Sequence, residues 1–442
     1  RERQVGMAAN EVVCVGLIGC GTVGTGVAGY LLRREQAVGD LRLVRVAVRD
    51  VNRRREIPLP AVTADAGEVV DDPMIDVVVE LMGGERPAYE YLHRAMENGK
   101  NAVTANKAVL SRHMPELFAT ARANGVDLGF EASVAGAVPV IRILRGFEGE
   151  TIRQLTGILN GTSNFILSRM EEGRNFEEAL ATAQARGFAE ADHWLDTGGY
   201  DARDKLSILA SLAFNTAIHP EQIYCEGITG VTPVDLDFAM KHEVEEGGPG
   251  YAVKSLASAR LRNGGLELHV YPALIRRDHP LAPVRDEMNA VYLEGELCGP
   301  QLYWGRGAGR EATTSAVVSD LLRVASNRRR GVVDRLPTLE TRRPLRDVKE
   351  LPRRGYVRMN LKHLPGSIAE AARIMGRHGF NIEDSVQRRR FRMEVDGVTV
   401  IPDVVTVEPL PFSVVEKALS ALKNSERVHG EPFFLRFEID EP

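Results

Sequence analysis

The run Val12 to Ile18 has the character of a buried strand and breaks off directly into Gly19-Cys20-Gly21-Thr22-Val23-Gly24, then into a helical pattern through Leu32. A strand, this glycine spacing and a helix together form the entry to a dinucleotide-binding βαβ unit. The first glycine makes the tight turn, the second lets the main chain approach a pyrophosphate, and the third lets the helix pack on the strand. The free N–H groups of the helix start favour phosphate, so Gly19, Gly21, Thr22, Val23 and Gly24 are candidate cofactor contacts. With Arg1 and Arg3 ahead of it, the same stretch has the outline of a short signal core with a Leu17-Ile18-Gly19-Cys20 cleavage box. Its patterned, glycine-rich continuation fits a folded core and does not suit a membrane span.

A second buried strand, Leu43 to Val48, follows at βαβ distance and ends in Arg49-Asp50. Arg49 could accept a 2′-phosphate, while Asp50 could instead hold a ribose hydroxyl, which favours NADP and leaves NAD open. Strands at Asp76 to Leu81 and Asn101 to Thr104 alternate with a helical stretch, Pro87 to Asn98, as in a doubly wound parallel α/β sheet. Ligands sit at the carboxyl ends of such strands. There the chain reads Met82-Gly83-Gly84 and Ala105-Asn106-Lys107, so Lys107 is a candidate on the cofactor and substrate side. The plain alternative is an exposed lysine at a helix start.

At 442 residues the chain exceeds one ordinary core and implies two or three domains. A formal charge of -5 disfavours nucleic acid as the main partner. Cys14, Cys20, Cys225 and Cys298 are scattered, which suits neither a disulfide framework nor a zinc knuckle and is simplest in a reducing cytoplasm.

A second chemical cluster lies at Gly187-Phe188-Ala189-Glu190-Ala191-Asp192 and continues to Asp196, Asp201 and Lys205. From Asp201 the residues Ala202, Leu206, Leu209 and Ala213 recur at helix spacing. Asp201 and Lys205, four apart, stack on one face at the edge of that stripe. Glu190 and Asp196 add acidity to the loop leading in, so the ammonium of Lys205 would be held and oriented as a proton donor. An ordinary surface ion pair is the bland reading. Upstream, Gly129 to Pro139 turns through small residues whose carbonyls, with Glu131, could cage a hard cation, or could form a plain tight turn.

Taken together, these segments resemble homoserine dehydrogenase. The matching stretches are Gly19 to Gly24, Val79 to Gly84, Thr104 to Ala108, Glu131 to Gly136, Gly157 to Thr162, Ala189 to Asp192, Asp278 to Ala282 and Gly305 to Gly309, in order across residues 12–326. The resemblance implies reversible, NAD(P)-dependent interconversion of L-homoserine and L-aspartate 4-semialdehyde on the way to threonine and methionine. It implies that Lys205 is the acid/base and that Lys107 sits at cofactor and substrate, with Glu190 and Asp201 holding the substrate and the catalytic lysine. By the same analogy Glu131, Val134, Gly136 and Val138 hold a sodium ion, mostly through carbonyls, and Gly187, Gly307 and Gly309 lie against the cofactor. Hydride delivered to an aldehyde carbon builds charge on oxygen, which a positioned ammonium stabilises and protonates; the reverse direction asks for a lowered lysine pKa. Members of that family usually read Asp-Pro-Thr-Ala-Asp-Val-Glu-Gly where this chain has Asp192-His193-Trp194-Leu195-Asp196-Thr197-Gly198-Gly199. The change places Trp194 and a titratable His193 beside the substrate and removes a glutamate at Gly198. A relative acting on another small amino-aldehyde, and a non-catalytic nucleotide- and effector-binding regulator, are the alternative readings.

Strand signals at Leu266 to Ile275, Ala290 to Leu293 and Gln301 to Trp304 suggest a sheet whose outer face could pair subunits, and Thr313 to Ala325 reads as a helix. Asn327 to Arg354, rich in arginine and proline, reads as a solvated linker. Tyr356 to Glu438 follows the order βαββαβ and resembles an ACT domain, in which an end-product amino acid such as threonine binds across paired copies; His363 and Arg388-Arg389-Arg390 depart from the usual pattern. The expected organisation is a Rossmann-type domain over 10–145 completed by 305–326, an α+β catalytic and dimerisation domain over 146–304, a linker over 327–354 and a ferredoxin-like ACT domain over 355–440. A homodimer or homotetramer with no membrane or nucleic-acid partner is expected.

Overall fold

The computed structural model describes residues 12–34, 41–244, 247–340 and 342–438. Arg1, Arg3 and the outermost residues expected for the first and last domains, 10–11 and 439–440, lie outside these. β1 (Val13–Ile18) is buried at every position, as a strand covered on both faces must be. It leads into α1 (Thr22–Arg34), β2 (Leu41–Ala47), β3 (Ala61–Thr63), α2 (Gly67–Val70), β4 (Val77–Glu80), α3 (Ala88–Glu97), β5 (Asn101–Thr104), α4 (Lys107–Asn124) and β6 (Leu128–Gly129). The six strands form one parallel sheet in the order β3-β2-β1-β4-β5-β6. The order reverses at β1, so a crevice opens where the α1 turn meets the ends of β4 and β5.

Next come α5 (Val140–Gly146), β7 (Ile152–Ile158), α6 (Gly161–Glu171), α7 (Phe176–Ala185), α8 (Trp194–Thr197), α9 (Tyr200–Ala213), β8 (Tyr224–Cys225), α10 (Pro233–Lys241), β9 (Tyr251–Arg262), β10 (Gly265–Arg276), β11 (Met288–Gly295) and β12 (Gly299–Arg306). Besides the short β8, the strands β7 and β9 carry no strand expectation from sequence. Both are buried nearly throughout, so the polar–apolar alternation that marks a half-exposed strand is weak in them. α11 (Arg310–Arg330) then returns to the first sheet. Its Val317, Leu321 and Val324 join Val13, Val15, Leu17, Val27 and Leu31 in one core.

The last part runs β13 (Pro352–Lys362), α12 (Ser367–Arg377), β14 (Ile382–Gln387), β15 (Met393–Val395), β16 (Val398–Pro411), α13 (Phe412–Lys423) and β17 (Val428–Phe437). Its strands continue the second sheet, which reads β12-β11-β7-β9-β10-β17-β13-β16-β14, with β8 and β15 pairing off that path. The join is the parallel contact of β17 with β10 through Ala273–Arg436 and Leu274–Phe437.

The expectation of a solvated linker over 327–354 needs correction. α11 extends to Arg330 and β13 begins at Pro352. Between them Leu336, Leu339 and Val348 are buried, and the strap hydrogen-bonds to β10 through Leu266 N–H to Pro344 O and Arg346 N–H to Leu266 O, both 2.8 Å. Its charges meet partners supplied by other segments, Arg346 on Glu267 of β10 at 2.8 Å and Asp334 on Arg323 of α11. Composition therefore reads as solvated while the chain is docked.

Buried charge closes the junction of the last part with the second sheet. Arg436 is bidentate on Glu226 (2.8 and 2.7 Å) and lies over the rings of Phe412 and Tyr271 at 4.2 and 4.6 Å. Tyr356 and Arg358 both reach Asp235 of α10 at 2.7 and 3.0 Å. His269, fully buried and stacked on Tyr271, has its pKa pushed down to about 3 by burial. The Glu438 carboxylate 3.7 Å away opposes this, but Arg260, Arg353 and Arg436 add to the depression, so the ring is neutral when folded. In the unfolded chain it takes a proton near pH 6.5, so its contribution is fully present above that pH and is lost as pH falls toward 3. In urea melts at pH 7.5 and pH 5, the native chain should lose about 2 kcal/mol more than His269→Phe.

Candidate active site

Glycine geometry shapes the cofactor end. Gly19 has φ +92°, and a Cβ there would lie 2.6 Å from Leu81 O; a Cβ on Gly24 would lie 2.2 Å from Gly19 O. These two glycines close the turn against β4 and against itself. A Cβ on Gly21 would meet nothing within 4 Å, so that glycine leaves open space at the mouth of the turn. Thr22 opens α1 beside it.

Three cavities share walls across this crevice. The first, about 640 Å³, takes in Gly19, Gly21, Arg49, Asp50, Arg53 and Arg55. Leu81 and Gly83 separate it from a second of about 270 Å³, which includes Val23, Gly136 and Gly307. Lys107, Lys205 and Ala308 belong to that cavity and also to a third of about 600 Å³, lined by Gly187, Glu190, Asp196, Asp201 and Gly309. The glycine turn and the Asp201–Lys205 helix, nearly two hundred residues apart, thus end on one continuous space.

At its centre Asp201 holds both lysines: Lys205 Nζ is 2.7 Å from Oδ2 and Lys107 Nζ is 3.0 Å from Oδ1. Lys205 also donates to Leu159 O at 2.8 Å. Two of its three N–H groups are then committed and one is left for a ligand. Burial alone would raise the Asp201 pKa, but the ammonium groups of Lys205 and Lys107 outweigh it and hold the carboxyl well below the usual range. The same Asp201 charge pushes Lys107 up, against the desolvation it suffers. A lowered pKa, expected for the reverse reaction, is therefore not found at Lys107.

Asn160, quoted in the sequence motif without a role, organises the acids. Its Nδ2 donates to Asp196 Oδ1 (2.7 Å) and Asp201 Oδ2 (2.8 Å), while its Oδ1 accepts from Ser163 N–H at the start of α6. Burial raises the Asp196 pKa, and the Asn160 bond works against that rise. Lys107 is placed by a comparable buried network. Thr104 Oγ1 donates to Glu80 Oε2 (2.7 Å), and Asn106 caps α4 while donating to Gly84 O (2.7 Å). Arg53 and Arg55, which sequence reading passed over, join Arg49 at the other end. Arg55 braces that turn on Asp50 O and Arg53 O. The triple-arginine run Arg53-Arg54-Arg55 after Arg49 was the available signal.

The four residues grouped as cation ligands are not brought to one cavity. Gly136 faces the nucleotide crevice, Glu131 lines a separate cavity with Arg142 and Arg145, and Val134 and Val138 are buried. Both Glu131 carboxylate oxygens accept main-chain N–H groups, of Ile141 and Arg142 at 2.9 Å, and so cap α5. Burial, with Asp320 nearby, pushes the Glu131 pKa up to about 7. Among the described residues no group of three or more His, Cys, Asp or Glu could hold a metal, and no helix is long and apolar enough to cross a membrane. His193 faces Thr197 at 3.1 Å, and Trp194 is exposed against Tyr200.

Comparison with known proteins agrees with this geometry. Residues 139–322 match the family model described as homoserine dehydrogenase, and residues 19–131 match that of the homoserine dehydrogenase NAD-binding domain. The chain is 39% identical to the homoserine dehydrogenase of Pseudomonas aeruginosa, covering 96% of this chain and 99% of that protein. It is 35% identical to that of Bacillus subtilis, covering 90% and 91%. A solved homoserine dehydrogenase from Thiobacillus denitrificans superposes with a TM-score of 0.85 at 36% identity, covering 97% and 98% of the two chains.

The glycine geometry makes two substitutions behave oppositely. Gly21→Ala should leave the melting temperature unchanged and raise the KM for the nicotinamide cofactor at least about tenfold, because the added methyl enters ligand space. Gly24→Ala, colliding with Gly19 O, should cost on the order of 1–3 kcal/mol of stability in a thermal melt.

Proposed function

The chain belongs to the homoserine dehydrogenase family, and we propose that its reaction takes place where Lys107, Asp201 and Lys205 meet. The observation that carries this reading is the wall those lysines share between the nucleotide crevice and the acidic cavity. The enzyme is an NAD(P)-dependent oxidoreductase that interconverts L-homoserine and L-aspartate 4-semialdehyde. The open face of Gly21 and the helix start behind it suit a pyrophosphate, so Gly19, Gly21, Thr22, Val23 and Gly24 would hold the dinucleotide, with Gly307 beside them. Arg49 and Arg53 at the far end suit a 2′-phosphate, which favours NADP over NAD. When bound, the nicotinamide supplies or accepts the hydride at the carbinol carbon.

This chain's side chains manage charge and protons. During reduction, negative charge gathers on the aldehyde oxygen. Lys205, with one N–H uncommitted, donates the proton, and Lys107, kept cationic by Asp201, stabilises the developing charge. Asp201 fixes both amines. Glu190 and Asp196 face the substrate's ammonium group, and Gly187 and Gly309 border the space between substrate and cofactor.

A sodium ion, if held, would rest on main-chain carbonyls of Glu131, Val134, Gly136 and Val138, since the Glu131 carboxylate already caps α5. The βαββαβ order of the last part, with strands arranged β17-β13-β16-β14, supports an ACT-type module able to take an amino-acid effector such as threonine across paired copies. A cytoplasmic homodimer or homotetramer completes the reading.

Homoserine oxidation assayed with NADP and NAD in parallel tests the assignment. Lys205→Ala should lower kcat by about 10²- to 10⁴-fold with NADP affinity retained; an unchanged rate would remove Lys205 from the mechanism. Asp201→Asn should lower kcat comparably and, by leaving two cations facing each other, cost about 3–5 kcal/mol in urea unfolding.

A further inference from the structure

We propose that Arg186 seats the α-carboxylate of the substrate, a specificity role resting on the reading of the Lys205 cavity as the substrate site. Homoserine presents a hydroxyl, an ammonium and a carboxylate. The hydroxyl belongs at Lys205 and the ammonium suits the acids Glu190, Asp192 and Asp196 of the cavity wall. A carboxylate among so many acids is repelled unless a cation faces it. Lys107 and Lys205 both close on Asp201. The remaining cation on the wall is Arg186, which among the described residues has no carboxylate partner.

Its position suits the task. Arg186 ends α7, and its guanidinium carbon lies 5.4 Å from the centroid of Phe165, which meets Phe188 edge-on at 5.1 Å. The guanidinium is therefore laid against Phe165, which leaves its in-plane donors open to a planar, bidentate partner. Thr162 Oγ1 donates to Phe188 O at 2.7 Å, tying the segment after Arg186 to the first turn of α6. Gly161 and Thr162 of that turn line the same cavity, so the positive end of the helix adds to the attraction for a carboxylate.

Arg186→Leu keeps apolar contact with Phe165 and removes the charge. The KM for homoserine should rise about 10- to 100-fold, with kcat changed by less than about threefold and the KM for NADP unchanged. The inhibition constant of 3-aminopropan-1-ol, which has the hydroxyl and ammonium but no carboxylate, should not move, and Arg186→Lys should recover part of the loss. A homoserine KM within about twofold of native overturns the proposal, as does an equal weakening of the analogue or a rise confined to NADP. Should Arg186→Leu fail a circular dichroism melt, Arg186→Gln is judged by the same outcomes. Failure here leaves Lys205 untouched, whereas an unchanged rate in Lys205→Ala would remove the site itself.

Discussion

One carboxylate shared by two ammonium groups organises the crevice. Lys107 opens the helix that follows β5 of the parallel sheet, and Lys205 lies one turn into a helix built against the second sheet. Brought together alone they would repel, and both would shed protons or separate. Asp201 between them turns that repulsion into an attraction joining two parts of the chain. It can remain ionised in a buried position because two cations and Asn160 stabilise it there. The arrangement of the two lysines and the relative placement of the two sheets therefore depend on the same interaction.

The features that sequence made legible were local. The glycine spacing at Gly19 to Gly24 and the four-residue interval from Asp201 to Lys205 each encode a geometry within one turn, and both take the expected form. What stayed hidden depends on contacts between distant segments. Asn160 stands in its motif without a role, and only the fold carries its amide to Asp196 and Asp201. The strap before β13 looks solvated because its buried leucines are few and aperiodic and the partners of its arginines lie elsewhere. The direction of the Glu131 side chain was hidden for a related reason: spacing placed Glu131 near Gly136, but its carboxylate points toward the start of α5 and away from the crevice.

At the other end of the second sheet, the last part of the chain is attached by buried and partly buried charges. Such pairs add little net stability against well-packed apolar groups, yet breaking one leaves an uncompensated charge. Arg436 meets the demand with a bidentate carboxylate and aromatic faces, and Arg358 with an aspartate that also serves Tyr356. Geometry this demanding fixes one docked arrangement, so the last part of the chain and the substrate-side helices form a single sheet-continuous body.

The glycine at 198, one of the departures in the loop 192–199, follows from packing. A Cβ at Gly198 would lie 2.7 Å from Trp194 O and 2.8 Å from the Tyr200 ring, and one at Gly227 would lie 2.7 Å from Gly198 Cα. Main chain therefore stacks on main chain there, held by Ile228 N–H on Thr197 O at 2.8 Å, and a glutamate at 198 has no room. Trp194 turns outward onto Tyr200 and leaves Leu195 and Asp196 on the cavity wall. The acidic face of the cavity is still supplied, by Glu190, Asp192 and Asp196. The loop thus keeps its electrostatic character while changing the backbone that carries it.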